Sequence, residues 1–311
     1  MPAHRKWKGK TMEERRLAFV LSGGCARGAF QAGALRALFE NNIHPEILVG
    51  TSIGAMNAAF LAVHGFNSSS IDLLIRTWLD SAKKEILPTN INWLALRTIL
   101  KTPDFRCYKK VQTFLESNGI GPDLRFRDIR EVQLYLVAVD LYTGQLVLYG
   151  QDPNQSVLEG VLASSALPPF FPLFERDGKL LMDGGMVSNL PVEAAVSEGA
   201  TEILALDVTD LRKAAKGATN LKAYLRKLVN ASEQRHIALE IALAREKGIP
   251  VHHIPLHGPD SVSVADFGAA KASIQIGYDI TNQWVEQWNA TYGNHQPIEV
   301  QLDQAVSLWS R

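Results

Sequence analysis

Apolar residues in this chain fall in short unbroken runs, closed by glycines or polar turns and followed by segments with helical apolar spacing. RRLAFVLS, residues 15–22, is rich in β-branched and aromatic residues and is stopped by Gly23 and Gly24, which predicts a short buried strand. Residues 28–41 carry Ala, Phe and Leu at helical spacing and end in Asn41 and Asn42, which predicts a helix. ILVG predicts a second strand and Ala55 to Val63 a second helix. A strand–helix–strand–helix series with short turns implies a parallel sheet covered by helices.

Residues 66–130 are mixed. SIDLLIRTWLD and INWLALRTIL read as helical patches, joined through Pro88 and Pro103. VQLYLVAVDLYTGQLVLYG predicts two strands around a Thr-Gly turn. KLLMD, EILALDV and VHHIPL are further strands, VEAAVSEG a helix, and longer helices are expected at about 219–247 and 266–289. With no internal repeat, low-complexity tract or Pro/Ser-rich linker, one domain is expected over residues 17–289. Its motif-bearing core is 17–210 and its C-terminal part 211–289, between a basic tail at 1–16 and a C-terminal tail at 290–311.

Composition changes this picture little. The 311 residues are 46% hydrophobic and 21% charged, and 32 basic side chains balance 32 acidic ones. That balance gives no global pull toward nucleic acid. Cys25 and Cys107 are too few for a disulfide framework and lack metal-ligand spacing, so neither a metal nor another cofactor is expected. Residues 47–63 carry no charge and approach the length of a membrane span, but Gly50, Gly54, Thr51, Ser52 and Asn57 favour a buried strand entering a buried helix. No apolar leader follows the basic N-terminus, and the cytoplasm is the expected location. The basic tail suits peripheral contact with anionic lipid as well as it suits a solvated end. Oligomeric state is not legible.

Three short stretches carry candidate chemistry. GTSIG, Gly50 to Gly54, is the only G-x-S-x-G in the chain; at a strand–turn–helix it would expose Ser52 at the sheet's carboxyl edge, with the helix N-terminus behind it. Taken alone, Ser52 could equally be a small residue in a structural turn. SGGCARG, residues 22–28, ends one strand and opens one helix, which suits an oxyanion hole, a phosphate cradle or a ligand-free glycine turn. Its spacing breaks G-x-G-x-x-G, and no Gly-Lys-Ser/Thr is present for a P-loop. MDGGMVSNLP, residues 182–191, sets Asp183 at a strand end, as a site carboxylate or as the start of an Asx-type turn.

In this order, the three motifs make the chain resemble the patatin-like phospholipases, serine lipid acyl hydrolases with a Ser–Asp dyad. The likeness runs over roughly residues 17–280, and is clearest through VLASSALPPFFPLFERDGKLLMDGGMVSNLPVEAAVSEGATEILALDV. It implies a three-layer α/β/α sandwich with a mainly parallel central sheet, Ser52 as nucleophile and Asp183 as base. It further implies Gly23, Gly24 and Cys25 as oxyanion donors, Gly50 and Gly54 as elbow glycines, and Arg27, Gly28, Gly184 and Gly185 in support. The implied partner is a lipid or acyl-ester substrate, cleaved through an acyl-enzyme. The alternatives are an acyltransferase or thioesterase on the same fold, or an idle lipid-binding module.

Four features need separate expectations. Cys25 stands where the family usually has glycine: its N–H can still donate, but a positive φ there would strain the side chain and narrow the acyl entrance. A thiol at a helix N-terminus is also expected to have a lowered pKa. Arg27 is read chiefly as pinning backbone carbonyls, and Asn189 and Pro191 as turn and helix-start residues. A histidine base would come from His252, His253 or His257; too few strands precede Ser52 for that triad, so one of the VHHIP histidines is expected against the sheet and one facing solvent. Trp78, Trp93, Leu94, Leu96, Ile99 and Leu100 form either helix core or a lid.

Overall fold

The computed structural model describes residues 15–81, 105–168, 171–210 and 221–292. Its strands are β1 (Leu17–Leu21), β2 (Ile47–Thr51), β3 (Gln133–Asp140), β4 (Leu146–Tyr149), β5 (Phe174–Arg176), β6 (Lys179–Asp183), β7 (Glu202–Asp207) and β8 (Val251–Pro255). The helices are α1 (Gly28–Glu40), α2 (Ile53–His64), α3 (Ser68–Ser81), α4 (Phe105–Ser117), α5 (Val157–Ser164), α6 (Val192–Ser197), α7 (Leu221–Glu246) and α8 (Ala270–Tyr292).

One eight-stranded sheet joins these strands along the hydrogen-bonded path β5-β6-β3-β2-β1-β7-β8, with β4 also on β3. The β3–β2–β1–β7–β8 portion is parallel; β4 and β6 meet β3, and β5 meets β6, antiparallel. Buried on both faces, the parallel strands alternate sides at period two. Leu17, Phe19 and Leu21 pack into a cluster with α1, α2, α3, α4, α5 and α8, whereas Ala18 and Val20 pack into a second cluster with α6 and α7. The result is a three-layer α/β/α sandwich with a mostly parallel central sheet.

Three short or polar elements were not expected. α4 is half polar; α5 is eight residues capped by Ser156, whose Oγ accepts the Glu159 N–H; β5 is three residues turning into β6 through Asp177 (φ 51°) and Gly178 (φ 74°). The charge-free stretch 47–63 is β2 followed by α2, and no described helix is long and apolar enough to cross a membrane. Trp78 lies in the core at 5% exposure; Trp93, Leu94, Leu96, Ile99 and Leu100, on which the lid reading rests, fall outside the described residues.

The second helical layer holds a buried acid with a stability consequence. Glu240 of α7 is 7% exposed, and its Oε2 accepts the Glu193 N–H at the start of α6 at 2.9 Å. Burial outweighs that hydrogen bond and raises the carboxyl to about 7. Because the folded-state pKa is raised, the wild type loses stability as pH rises from the ordinary glutamate range through about 7. Glu240→Gln keeps an acceptor and removes the buried charge. It is expected to be more stable than wild type by about 3 kcal/mol at about pH 8 and equal to it near pH 4, by chemical denaturation at both values.

Candidate active site

The site is built where β2 and β6 meet. Leu136 and Val137 of β3 pair with both β2 and β4, while Ala138 and Val139 pair with both β4 and β6. A strand has two edges, so β2 and β6 lie end to end along the same edge of β3. Thr51 is opposite Val137 and Asp183 is opposite Ala138. Residues 131 apart in sequence are thereby brought one register step apart, with Ser52 immediately beyond Thr51.

Ser52 has φ 56° and ψ −122°, a conformation that costs a non-glycine residue free energy and turns its side chain out between strand and helix. The flanking glycines permit that turn for steric reasons. A Cβ on Gly50 would sit 2.4 Å from the Gly54 carbonyl oxygen, and one on Gly54 would sit 2.2 Å from the Leu21 carbonyl oxygen. The Ser52 N–H donates to Ser164 Oγ at 2.9 Å, and that hydroxyl donates to the Val137 carbonyl at 2.6 Å. Ser164, at the end of α5, thus ties the turn to β3. Nothing in the sequence reading singled it out.

Asp183 is 3% exposed, and its Oδ1 accepts the Gly185 N–H at 2.8 Å. Burial drives its carboxyl up to about 6, against the opposing hydrogen bonds from the Ser52 hydroxyl and the Gly185 amide. A carboxylate so placed is a stronger base than one in water and titrates just below neutrality. Gly184 permits this approach, since a Cβ there would meet the Val137 carbonyl oxygen at 2.4 Å.

The 22–28 loop packs against the same serine: a Cβ on Gly23 would lie 3.2 Å from Ser52 Cβ. The Gly23 N–H, however, donates to the Asn189 carbonyl at 3.1 Å. For the N–H groups of Gly24 and Cys25 no acceptor is found among the described residues. Cys25 does have positive φ, 50°, and lines the pocket beside Ser52 and Asp183. Its thiol shifts opposite to expectation: burial, then the Asp183 charge, push it up to about 12 against the pull of Arg27. Arg27 Nε donates to the Val262 carbonyl at 2.8 Å, pinning backbone as expected. A Cβ on Gly28 would overlap Ile53 and Trp78.

From Ser52 a cavity of about 110 Å³ runs along α2, past Ile53, Met56 and Phe60, between α3 and α4. Its lining is mostly apolar, and two polar side chains in its wall, Trp78 and Asn57, are turned to internal partners. Trp78 Nε1 donates to Asn57 Oδ1 at 3.1 Å, and Asn57 Nδ2 donates to Gln31 Oε1 at 2.9 Å. An apolar slot of this kind suits a hydrocarbon chain in shape and chemistry.

The histidines lie elsewhere. His252 is buried and bonds Glu202 at 2.9 Å, and the half-buried His253 bonds Asp207 at 2.9 Å. β8 is separated from β2 by β1 and β7, about 14 Å at ordinary strand spacing. Among the described residues no group of three or more His, Cys, Asp or Glu is arranged to hold a metal. Asn189, expected as a turn residue, is buried, and its side chain bonds Gly23, Thr209 and Glu233.

Comparison with known proteins gives a family model, patatin-like phospholipase, matching residues 19–196. Patatin-like phospholipase domain-containing protein 7 of Rattus norvegicus is 30% identical over 200 residues. That match spans 62% of this chain and 13% of the rat protein, so this chain covers only a small part of that relative's length. The uncharacterized protein YqhO of Bacillus subtilis is 27% identical over 295 residues, spanning 86% of this chain and 98% of YqhO. Among solved structures, VipD from Legionella pneumophila is 18% identical with a TM-score of 0.47, over 92% of this chain and 72% of VipD.

Proposed function

Since the chain belongs to the patatin-like phospholipase family, whose members point to lipid acyl hydrolysis in general, we propose that it cleaves carboxylic esters of fatty acyl chains through a Ser52 acyl-enzyme, with Asp183 as general base. The observation that carries this reading is the buried Asp183 carboxyl against the Ser52 hydroxyl, at the head of an apolar slot.

Ser52 Oγ attacks the ester carbonyl carbon as its proton passes to Asp183. The tetrahedral oxyanion accepts hydrogen bonds from the Gly24 and Cys25 N–H groups, and the α2 N-terminus favours the same negative charge. Collapse breaks the ester C–O bond, and the alcohol leaves with the proton from Asp183. Water then attacks the acyl-Ser52 carbonyl and gives its proton to Asp183. A second collapse releases the fatty acid and returns the proton to Ser52. The acyl chain occupies the slot along α2 throughout.

A product assay tests this against the transferase alternative. Purified protein is incubated with lysophospholipid, diacyl phospholipid and neutral glycerides, with and without added alcohol or coenzyme A. Free fatty acid is expected as the main product with or without acceptor. Acyl transfer to an acceptor in preference to water would overturn hydrolysis as the function.

A further inference from the structure

Asn189 grips both sides of Gly23. Its backbone carbonyl accepts the Gly23 N–H at 3.1 Å, and its side-chain Nδ2 donates to the Gly23 carbonyl at 3.3 Å. A trans peptide directs its C=O and N–H to opposite sides. Fixing the Gly23 carbonyl on Asn189 therefore fixes the Gly24 N–H pointing away from Asn189. Gly23 has no room for another side chain, because its Cβ would lie 2.4 Å from Asn189 Oδ1.

Asn189 is itself held. Nδ2 also donates to Thr209 Oγ1 at 3.1 Å and to Glu233 Oε1 of α7. The Thr209 hydroxyl donates to the same carboxylate oxygen at 3.5 Å, and Thr209 N–H donates to Asp207 Oδ1 at 2.8 Å. The Glu233 carboxyl faces Asp207 at the end of β7 and Arg27 in the glycine loop; Asp207 in turn bonds His253 of β8. Burial, then Asp207, raise it to about 7, against Arg27 and its two hydrogen-bond partners. Asn189 alone bonds the Gly23 peptide, and Thr209 and Glu233, remote from it in sequence, hold Asn189 in turn. None of these side chains lines the slot.

We propose that Asn189, anchored by Glu233, is a positioning residue that aims the Gly24 N–H at the oxyanion formed on Ser52. The role rests on the Ser52 reading given above. It touches the transition state only through the loop, so it contributes to kcat and not to ground-state binding.

The test is kinetic. Asn189→Ala is expected to lower kcat for a p-nitrophenyl acyl ester about a hundredfold, the usual cost of one oxyanion donor, with KM within about twofold. Affinity for an acyl trifluoromethyl ketone, which forms an oxyanion on adding Ser52, should fall by the same factor. A merely structural role would not move the two together at constant KM. Glu233→Gln keeps the size and an acceptor oxygen but loses the charge that strengthens the bond to Asn189. It should lower kcat about threefold to tenfold near pH 8 while the melting temperature stays at or above that of the wild type, because a buried carboxyl raised to about 7 is removed, and it carries the test if Asn189→Ala does not fold. Unchanged kcat and ketone affinity in the folded variant, or a rise in KM alone, overturns the proposal. Ser52→Ala run in parallel separates the two readings. Hydrolysis that survives it overturns the nucleophile and the oxyanion site together, whereas a dead Ser52→Ala beside a fully active Asn189→Ala overturns only the positioning role.

Discussion

Asp183→Asn is expected to lower kcat for ester hydrolysis about a thousandfold near pH 8 and, at the same time, to make the protein more stable. Asparagine matches aspartate in shape, and its carbonyl oxygen can still accept the Gly185 N–H that Oδ1 now takes at 2.8 Å. It cannot take a proton from Ser52. The stability gain follows from the direction of the pKa shift. Burial raises Asp183 from its ordinary 3.8 to about 6, so the folded state loses stability as pH climbs through that interval, and the full cost applies above it. That rise corresponds to about 3 kcal/mol, which asparagine does not incur. The gain should be present near pH 8 and absent near pH 3. In the wild type, kcat should fall below about pH 6 as the base is protonated. Denaturation and pH–rate profiles check both halves; a variant keeping a tenth or more of the activity would locate proton transfer elsewhere.

Ser52→Ala should bring hydrolysis down about ten-thousand-fold or more, to the level left by binding and oxyanion stabilisation alone. A comparison with Ser52→Gly adds a structural check. Ser52 holds φ 56° and ψ −122°, which costs a residue with a Cβ about 1–3 kcal/mol and glycine much less. Ser52→Ala keeps that strain, and both variants lose the hydroxyl's hydrogen bond to Asp183 alike, so the comparison between them isolates the strain. Ser52→Gly should be equally inactive yet more stable than Ser52→Ala by about 1 kcal/mol or more. Equal stability of the glycine and alanine variants would mean that the turn stores no strain.

How much of this was legible in the sequence depended on burial and length. β1, β2, α1 and α2 are buried nearly throughout and bounded by glycine or asparagine, so their patterns are unbroken and their ends marked. The Thr-Gly turn between β3 and β4 and the long α7 were legible for the same reasons of turn chemistry and periodicity. α4, with Lys109, Lys110, Gln112 and Glu116 on its outer side, and the three-residue β5 were not.

The site divides in the same way. Ser52, Asp183 and the glycine loop lie inside short motifs at strand ends; that β6 is antiparallel and brings Asp183 to Ser52 only by meeting β2 end to end along β3 is set by strand pairing that no motif encodes. Of the VHHIP histidines, His252 is packed as expected, whereas His253, expected to face solvent, is half-buried and bonded to Asp207. What escaped was set by distant contacts. Gly23's amide is taken by Asn189, whose partners Thr209 and Glu233 lie 20 and 44 residues away. The Cys25 thiol shifts upward because burial and Asp183 outweigh the Arg27 charge. No local pattern carries either fact.

The central claim is that Ser52 is the nucleophile that Asp183 activates. Its most direct test is intact-mass and peptide analysis after exposure to an alkyl fluorophosphonate. The account predicts one adduct per chain on the peptide containing Ser52, no adduct with Ser52→Ala, and slow labelling with Asp183→Asn. Stoichiometric labelling that persists in Ser52→Ala, or an adduct on Cys25 or another residue, would contradict it.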